Sequence, residues 1–563
     1  MLSGFIYCIM LKPLEKFEHG IKNYSENEWL YDNRLHVFSD DEIEWSDGSH
    51  SLFLDGHLDN KKDLCKAGKD SYDVLVYTKI TDGNISDLRG GFCGFVKSSK
   101  GIRLFVDHIG NRTLYFYSKN GKTAVASNFY LLAEVLRYNK IEIKIDEQAI
   151  KYMLTLGFMA DDTTFCPDIK RVCPGQYVDI DNDGNVSVTQ YYMIDNTHIK
   201  TEMSMDEAVE GLNYHFRNAV KREFDKDREY GYRHLVDLSG GLDSRMVTWV
   251  AHDLGYTDQI NIAYCRKNYL DFKIAQDVAC DLKHKFIFMP LDDFSWYKDI
   301  ETNTELLNGS VAYSGSTGAR QLLEIISGVN CGIEHTGMVG DAIVGSFYND
   351  EEYNYAPPQG KENAYSEFLD YKIPESVLRR FNNREMYSLY TRGLLGAQSS
   401  YMLRQHYFET SSPFLDVDFL DFIMTVPLKL RAKHKLYFEW IKRCYPKAAE
   451  YGWETWGGLQ PKESNRKYRK KMLEAKRKVS GLAYSVLGQK DSNNMNPIEY
   501  WLTQNPETEN YISEYYAKMR DIYGECLSSS LLSDMDRLFT GGTAGEREQV
   551  VSVYAAIALM LGR

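Results

Sequence analysis

The chain has 563 residues, 43% of them hydrophobic and 26% charged, with a formal charge of −14. At roughly 150 residues per domain this is a multidomain globular chain, and its composition excludes collagenous, disordered and low-complexity classes. The acidic balance argues against nucleic-acid binding by the whole surface and leaves room for one local basic patch.

The first residues, MLSGFIYCIMLKP, hold one short apolar run with no basic stretch before it and no small-residue cleavage site after it, a poor signal peptide. No run approaches the ~18 apolar residues of a spanning helix, so a cytoplasmic address without a membrane or nucleic-acid partner is expected. Up to about residue 192, short alternating or β-branched segments are punctuated by turns such as Asp82-Gly83 and Asn120-Gly121. Strands are predicted in SGFIYCIML, SLFLDGHL, GFCGFVK, GIRLFVDH, TLYFYS and QYVDID, and helices in YDVLVYTKI, FYLLAEVLRY and EQAIKYMLTLGF. This half reads as an α+β domain rich in antiparallel strands.

From about residue 201 the grammar changes to long helices alternating with short buried strands. Strands are predicted in HLVDL, NIAYC, KFIFMPL and GIEHTG, separated by helices carrying Met246, Val247 and Val250, then Ile274, Ala275 and Val278, then Leu322, Leu323 and Ile326. That alternation implies right-handed crossovers and a parallel sheet, which collects ligands at the carboxyl ends of its strands. Residues 350–372, polar and containing Pro357-Pro358, predict a surface insertion. Residues 462–478, KESNRKYRKKMLEAKRK, are strongly basic and form either a solvated helix face or a patch for phosphate or an acidic partner. The ten cysteines run from Cys8 to Cys526 without a CxxC pair, which predicts reduced, mostly buried thiols and no zinc site.

The chemistry concentrates in Ser239-Gly240-Gly241-Leu242-Asp243-Ser244, between a predicted strand and a predicted helix. The first amides of that helix lack internal partners and, with the macrodipole, form an anion site. Gly240 and Gly241 would let the backbone approach phosphate oxygens and adopt positive φ, and Ser239 and Ser244 add hydroxyls. Asp243 would be repelled by phosphate directly, so its natural task is to hold a Mg²⁺ that bridges to the nucleotide. The P-loop signature, HExxH, GxSxG and the protein-kinase motifs are absent.

SGGLDS is the pyrophosphate-binding loop of the ATP-pyrophosphatase group, whose members cleave ATP between the α and β phosphates. Beyond the loop, the chain resembles the asparagine synthetase type B family, with its β-lactam synthetase and lasso-peptide cyclase relatives, over nearly its whole length. Asp271-Phe272-Lys273-Ile274-Ala275 resembles the family's DE…A..VA helix. Residues 336–345, TGMVGDAIVG, resemble its SGxGxDELFGG loop, and Ser412-Pro413-Phe414-Leu415-Asp416 its PFLD stretch, with Glu409 at the preceding glutamate and Lys435 at the downstream lysine. In the first half, residues 54–60 resemble NGEIYN, residues 88–95 LxGxFAF, and residues 107–116 RDxxGxxPLYY.

The resemblance implies two units. Residues 1–195 would be a degenerate class II amidotransferase-like domain of the Ntn-type glutaminase shape. Residues 196–563 would be an α/β parallel-sheet synthetase domain of the ATP-pyrophosphatase, adenine nucleotide α-hydrolase-like kind. ATP and Mg²⁺ are the implied cofactors. Leu238, Ser239, Gly240, Gly241, Ser244, Ile262, Thr336 and Gly337 would hold the nucleotide, Asp243 and Asp341 would share the metal, and Glu409, Lys462 and Lys435 would be catalytic. Met338 stands where β-lactam synthetases carry tyrosine and asparagine synthetases an acid, and Ser411 stands at the family's arginine.

An N-terminal-nucleophile glutaminase needs a thiol on its first mature residue, with its own amine as base. Here the aligned residue is Ser3 behind Leu2, the family's Asn-Gly oxyanion pair reads Asp55-Gly56, and its aspartate for the glutamine amine falls near Ser71. The expectation is an ATP-dependent amide-forming ligase without its own glutamine hydrolysis, acting on a small-molecule or peptide carboxylate and an amine, with a homodimer left open. Natural-product cyclisation or ligation is the first reading. Amidation of a sugar acid for a surface polysaccharide, or a non-catalytic nucleotide-binding scaffold, are the alternatives. A sulfur transferase would want a reactive cysteine near the adenylate, and Cys265 and Cys280 read as core positions.

Overall fold

The computed structural model describes residues 4–17, 20–67, 70–314, 317–345, 351–362, 364–366, 369, 371, 373–461, 465 and 495–562. The first half is a stack of two six-stranded antiparallel sheets. One runs in the order Lys170–Arg171, Tyr115–Lys119, Lys122–Ala126, Gly4–Ile9, Glu28–Asn33, Ile21–Ser25. The other runs Val186–Gln190, Gln176–Asp181, Gly101–Val106, Phe92–Ser98, Ser51–Gly56, Ile43–Ser46. Period-two alternation explains the layering. Phe5 and Tyr7 meet Phe53 and Phe95 between the sheets, whereas Ile6 and Cys8 face outward into a helical layer containing Phe129–Tyr138 and Glu147–Leu156. On the outside of the second sheet, Leu52 and Leu54 pack against Val76 and Ile80 of the helix Tyr72–Thr81. The result is four layers, helix, sheet, sheet, helix.

The second half contains a five-stranded, wholly parallel sheet ordered Lys285–Pro290, Gln259–Cys265, Arg233–Asp237, Cys331–His335, Glu409–Ser411. Strand order reverses between Arg233–Asp237 and Cys331–His335. A crevice opens at such a switch point beyond the carboxyl ends of the strands. The expected α+β half and parallel-sheet half are both present. The 25-residue helix Met205–Glu229, closed at its start by a Ser204–Glu207 capping box, packs on one face of this sheet.

Two expectations, a surface insertion at residues 350–372 and a core position for Cys280, are corrected. The final helix, Ala544–Leu561, returns to the first half, where Tyr554 and Val553 share a core with Ile6, Phe129 and Met153. One apolar core therefore joins the two ends of the chain. The described part of residues 350–372 is also more than a surface insertion, because Tyr365 N–H donates to the Thr155 carbonyl at 2.7 Å and Ser366 Oγ to the buried Glu546 at 2.7 Å. The ten cysteines are free, six of them buried, but Cys280 is exposed rather than in the core. The basic stretch lies outside the described residues apart from Asn465, and no described helix is long and apolar enough to cross a membrane.

Beneath the switch point lies a buried polar chain. His335 Nε2 is 2.8 Å from Asp227 Oδ2, its Nδ1 is 3.1 Å from Glu223 Oε2, and His234 Nδ1 is 2.9 Å from the same Asp227 oxygen. Ser411 Oγ donates to Glu223 at 2.8 Å. Three potential metal-ligand atoms gather here, yet each already serves in this hydrogen-bonded chain. Burial opposes the charge on His335, but Asp227 and Glu223 outweigh it and lift its pKa to about 9. The histidine is thus an imidazolium held between two acids from the helix Met205–Glu229, and it fixes that helix to the strand leading into the site.

His335→Leu strands two buried carboxylates and is expected to cost about 3–5 kcal/mol of unfolding free energy, measured by denaturant titration. Because its folded pKa is raised above the ordinary 6.5, the stability due to His335 is fully present below that value and is lost as pH rises through about 9. Parent protein should lose stability between pH 7 and 10, and the variant should show a flatter profile over that range.

Candidate nucleotide site

The loop after Arg233–Asp237 folds as its residue types require. Ser244 Oγ accepts from Ser239 N–H at 3.0 Å and lies 3.0 Å from Ser239 Oγ, which in turn accepts from Gly241 N–H at 3.1 Å. Gly241 caps the helix Leu242–Asp253 in extended geometry, φ −69°. Neither Gly240 nor Gly241 has positive φ, which corrects that expectation. Space is what demands glycine, since a Cβ on Gly240 would lie 2.7 Å from Asp271 Oδ1 and 2.9 Å from Glu454 Cβ. Gly240 N–H donates to Asp271 at 2.6 Å. Burial, with Glu454 nearby, pushes the Asp271 carboxyl up to about 7.

The loop after Cys331–His335 meets the first one at the switch point. Asp341 N–H donates to Asp243 Oδ2 at 2.9 Å, while Tyr437 Oη donates to Asp243 Oδ1 at 2.6 Å. The approach is permitted by missing side chains. A Cβ on Gly337 would lie 2.4 Å from Ser244 N, and one on Gly340 would lie 2.8 Å from Asp243 Cγ. Val339, between them, takes the left-handed conformation, φ 64°, which costs a β-branched residue about 1–2 kcal/mol. Such strain persists where surrounding contacts impose it.

Electrostatics identify what the pair lacks. Burial, with Asp341 beside it, drives the Asp243 carboxyl well above the usual range, and burial raises Asp341 to about 6. Two oxygen-donor acids that hold each other's charge off are matched to a hard divalent cation, with phosphate and water oxygens completing the shell. Asp243 and Asp341 therefore fit Mg²⁺ as a donor set.

A cavity of about 260 Å³ opens beside this pair. Leu238, Ser239, Gly241, Asp243, Ser244, Ile262, Thr336 and Gly337 all line it, with Met338, Arg404 and Met495. The predicted nucleotide residues are thus brought to one place, with Gly240 immediately behind the wall. Three residues that the motifs did not single out complete the frame. Tyr437 orients Asp243. Arg245, wholly buried, donates to the carbonyls of Gly240 and Gly452 at 3.1 and 2.6 Å and ties the loop to residues 448–452. Arg404 donates to Asp237 at 3.2 Å and pairs with the buried Glu334. Tyr437 sits two residues from the noticed Lys435, and Arg245 immediately follows the motif, so proximity was the available signal.

The three predicted catalytic residues do not converge there. Lys435 is exposed and its amine donates to the Lys429 carbonyl at 3.1 Å. Lys462 lies outside the described residues. Glu409 is buried at the start of the last strand and faces the other half of the chain, paired with Arg112 and 3.6 Å from His57 Nδ1. Its strand register with Ile333 and the pull of Arg112 direct it away from the nucleotide cavity.

That ion pair borders a second cavity of about 330 Å³ between the halves, lined by Gly4, Arg34, Asp55, Arg112, Asn128 and Gln405 among others. Asp55 accepts from Arg34 at 2.7 Å, and Arg112 lies 3.7 Å away. Burial opposes ionisation of Asp55, but Arg112 and Arg34 outweigh it and hold the carboxyl low. Ser3 lies outside the described residues, and Ser71 sits at the start of the helix Tyr72–Thr81.

Residues 55–192 match the glutamine amidotransferase domain family. The chain is 23% identical to asparagine synthetase (glutamine-hydrolyzing) 1 of Bacillus subtilis (strain 168) over 212 residues, 37% of this chain and 32% of that protein. It thus spans about a third of the length of the curated relative it matches. Among solved structures, it is similar at 10% identity and TM-score 0.23 to glutamine phosphoribosylpyrophosphate amidotransferase from B. subtilis complexed with ADP and GMP, covering 52% of this chain and 86% of that one. NMN synthetase from Francisella tularensis is similar at 15% identity and TM-score 0.19, covering 44% and 97%. The sequence is therefore asparagine synthetase-like, with an amidotransferase-like domain in its first half.

Gly337→Ala should force the two loops apart, costing about 1–3 kcal/mol of stability and abolishing binding of a fluorescent ATP analogue. Denaturant titration alongside the binding assay checks both effects.

Proposed function

We propose that the chain is an ATP-dependent amide-forming ligase that activates a carboxylate as its adenylate. The supporting observation is the convergence of Asp243 and Asp341 beside the 239–244 loop at the switch point. Mg²⁺ held by the two carboxylates would supply charge neutralisation at the phosphates. The Ser239 and Ser244 hydroxyls and the amides opening the helix Leu242–Asp253 bind pyrophosphate, and Leu238, Ile262 and Thr336 wall the nucleoside.

In the chemical step a substrate carboxylate oxygen attacks the α-phosphorus. The bond from that phosphorus to the α–β bridging oxygen breaks, and pyrophosphate leaves with the electron pair. An amine then attacks the activated carbonyl carbon, AMP leaves with the carbon–oxygen electron pair, and the nitrogen releases a proton. Positioning and charge stabilisation carry such a reaction. Lys462 remains the candidate cation for the α-phosphate, because Lys435 points to solvent and Arg404 is already paired. Glu409 serves the interface rather than the amine.

Glutamine is not the nitrogen source in this reading. A glutaminase oxyanion hole places donors against developing negative charge, whereas the motif resemblance puts at the matching position Asp55, a carboxylate engaged by Arg34. The amine comes from the substrate or as free ammonia, which favours ligation or cyclisation in natural-product synthesis.

With ATP, Mg²⁺ and a panel of carboxylates and amines, pyrophosphate should appear only when a carboxylate is present. Asp243→Ala should abolish that release, and survival of the activity would remove Asp243 from the site. Incubation with glutamine alone should yield no ammonia above the enzyme-free blank.

A further inference from the structure

Arg245, on the helix Leu242–Asp253 immediately after the 239–244 loop, is a charge buried without a bonded counter-charge. Its hydrogen bonds all end on backbone carbonyls, those of Gly240 at 3.1 Å, Gly452 at 2.6 Å, Ala448 at 3.3 Å and Tyr451 at 3.5 Å. The Nε–H has no partner, and no carboxylate pairs with the guanidinium among the described residues. Asp271 is the acid whose field reaches it, and that carboxylate is already engaged by Gly240 N–H. Burial lowers the Arg245 pKa to about 10, which leaves the side chain charged at neutral pH. Taking a charge out of water is costly unless an opposite charge repays it.

The bond to Gly240 gives that charge a direction. The Gly240 carbonyl and the Gly241 N–H belong to one trans peptide, so they point opposite ways. With the carbonyl held by Arg245, the N–H faces into the loop and donates to Ser239 Oγ at 3.1 Å. Ser244 Oγ accepts from Ser239 N–H at 3.0 Å, and the two hydroxyl oxygens are 3.0 Å apart. One hydroxyl therefore donates to the other, and one hydroxyl proton remains for a ligand oxygen. Ser239, Gly241 and Ser244 all line the nucleotide cavity. A line of aligned dipoles thus runs from the buried guanidinium to the cavity wall, donor ends outward, each member polarising the next.

Tying the loop to residues 448–452 does not require this charge, because neutral N–H donors can meet the same carbonyls and are easier to bury. What the guanidinium adds is a fixed positive field behind a loop whose outward groups are donors. A triphosphate carries more negative charge than one divalent cation cancels, and the remainder needs a further positive partner.

We infer that Arg245 is a positioning residue for the polyphosphate, its charge relayed through the Gly240–Gly241 peptide and the Ser239 and Ser244 hydroxyls to the β and γ phosphates. It acts through the loop and not by contact with the nucleotide. The inference rests on the adenylation reading above. It places a second source of positive charge behind the departing pyrophosphate, separate from the cation that Asp243 and Asp341 would hold. Charge fixed in this way before the ligand arrives needs no reorganisation as the leaving group forms.

Binding of α,β-methylene-ATP, which carries the β and γ phosphates, and of AMP, which lacks them, tests the inference on the full chain with Mg²⁺ by displacement of a fluorescent ATP analogue. Arg245→Gln keeps N–H donors for the carbonyls and removes the charge. It should fold, weaken α,β-methylene-ATP by at least about tenfold and leave AMP unchanged. Arg245→Lys, which keeps the charge, should recover most of the lost affinity. Equal loss of both nucleotides, as a merely structural tie would give, overturns the inference. So do undiminished binding of α,β-methylene-ATP, no recovery with lysine, failure of Arg245→Gln to fold, or no binding of α,β-methylene-ATP by the parent protein. If α,β-methylene-ATP responds to Arg245 as expected but no carboxylate drives pyrophosphate release, the adenylation reading fails and the phosphate role stands. If a carboxylate drives release and Arg245→Gln leaves both release and binding at the parent level, adenylation stands and the inference fails.

Discussion

Two acidic side chains, Asp243 and Asp341, are forced together at the carboxyl ends of adjacent parallel strands, and much of the second half serves to keep them there. Left alone they would separate, because burial and proximity disfavour both charges. The contact survives because glycines at 337 and 340 remove the side chains that would hold the loops apart. Tyr437 fixes Asp243 from one side, and Arg245 ties the 239–244 loop to residues 448–452. Beneath them, His335 binds its strand to the long helix through Glu223 and Asp227. The close approach of the two acids is thus supported by a hydrogen-bonded scaffold beneath them.

The first half retains a four-layer fold and contributes to the second through its contacts. Arg112 reaches across to Glu409, and the final helix inserts among the first half's helices. Leu156 and Phe158, both from the first half, share the lining of a cavity with Arg392, Ser400 and Glu548 from the second.

Much of the candidate site's geometry was legible in the sequence because it is local. A strand, a glycine-rich turn and a helix are neighbours along the chain, so residues 238–244 announced themselves, and Thr336 to Asp341 repeated the pattern after a later strand. Side chains whose positions depend on distant packing were not legible. Glu409 and Lys435 were placed by motif, but strand register turns the first toward Arg112, and the second stays in solvent at the first turn of its helix. Tyr437 and Arg404 acquire their roles only when remote segments pack, as does the polar segment near Tyr365, which docks on the helix Glu147–Leu156. The positive φ expected at Gly240 and Gly241 is absent, and at Gly240 the need for glycine comes from the approach of the remote Asp271 and Glu454 rather than from the local turn.

The most direct test follows oxygen from the substrate. A carboxylate labelled with oxygen-18, turned over with ATP, Mg²⁺ and an amine, should transfer one labelled oxygen to AMP, with unlabelled pyrophosphate as co-product, detected by phosphorus-31 NMR and mass spectrometry. Label appearing in inorganic phosphate with ADP as the other product would mean attack at the γ-phosphorus, and would contradict an adenylating role for Asp243, Asp341 and the 239–244 loop.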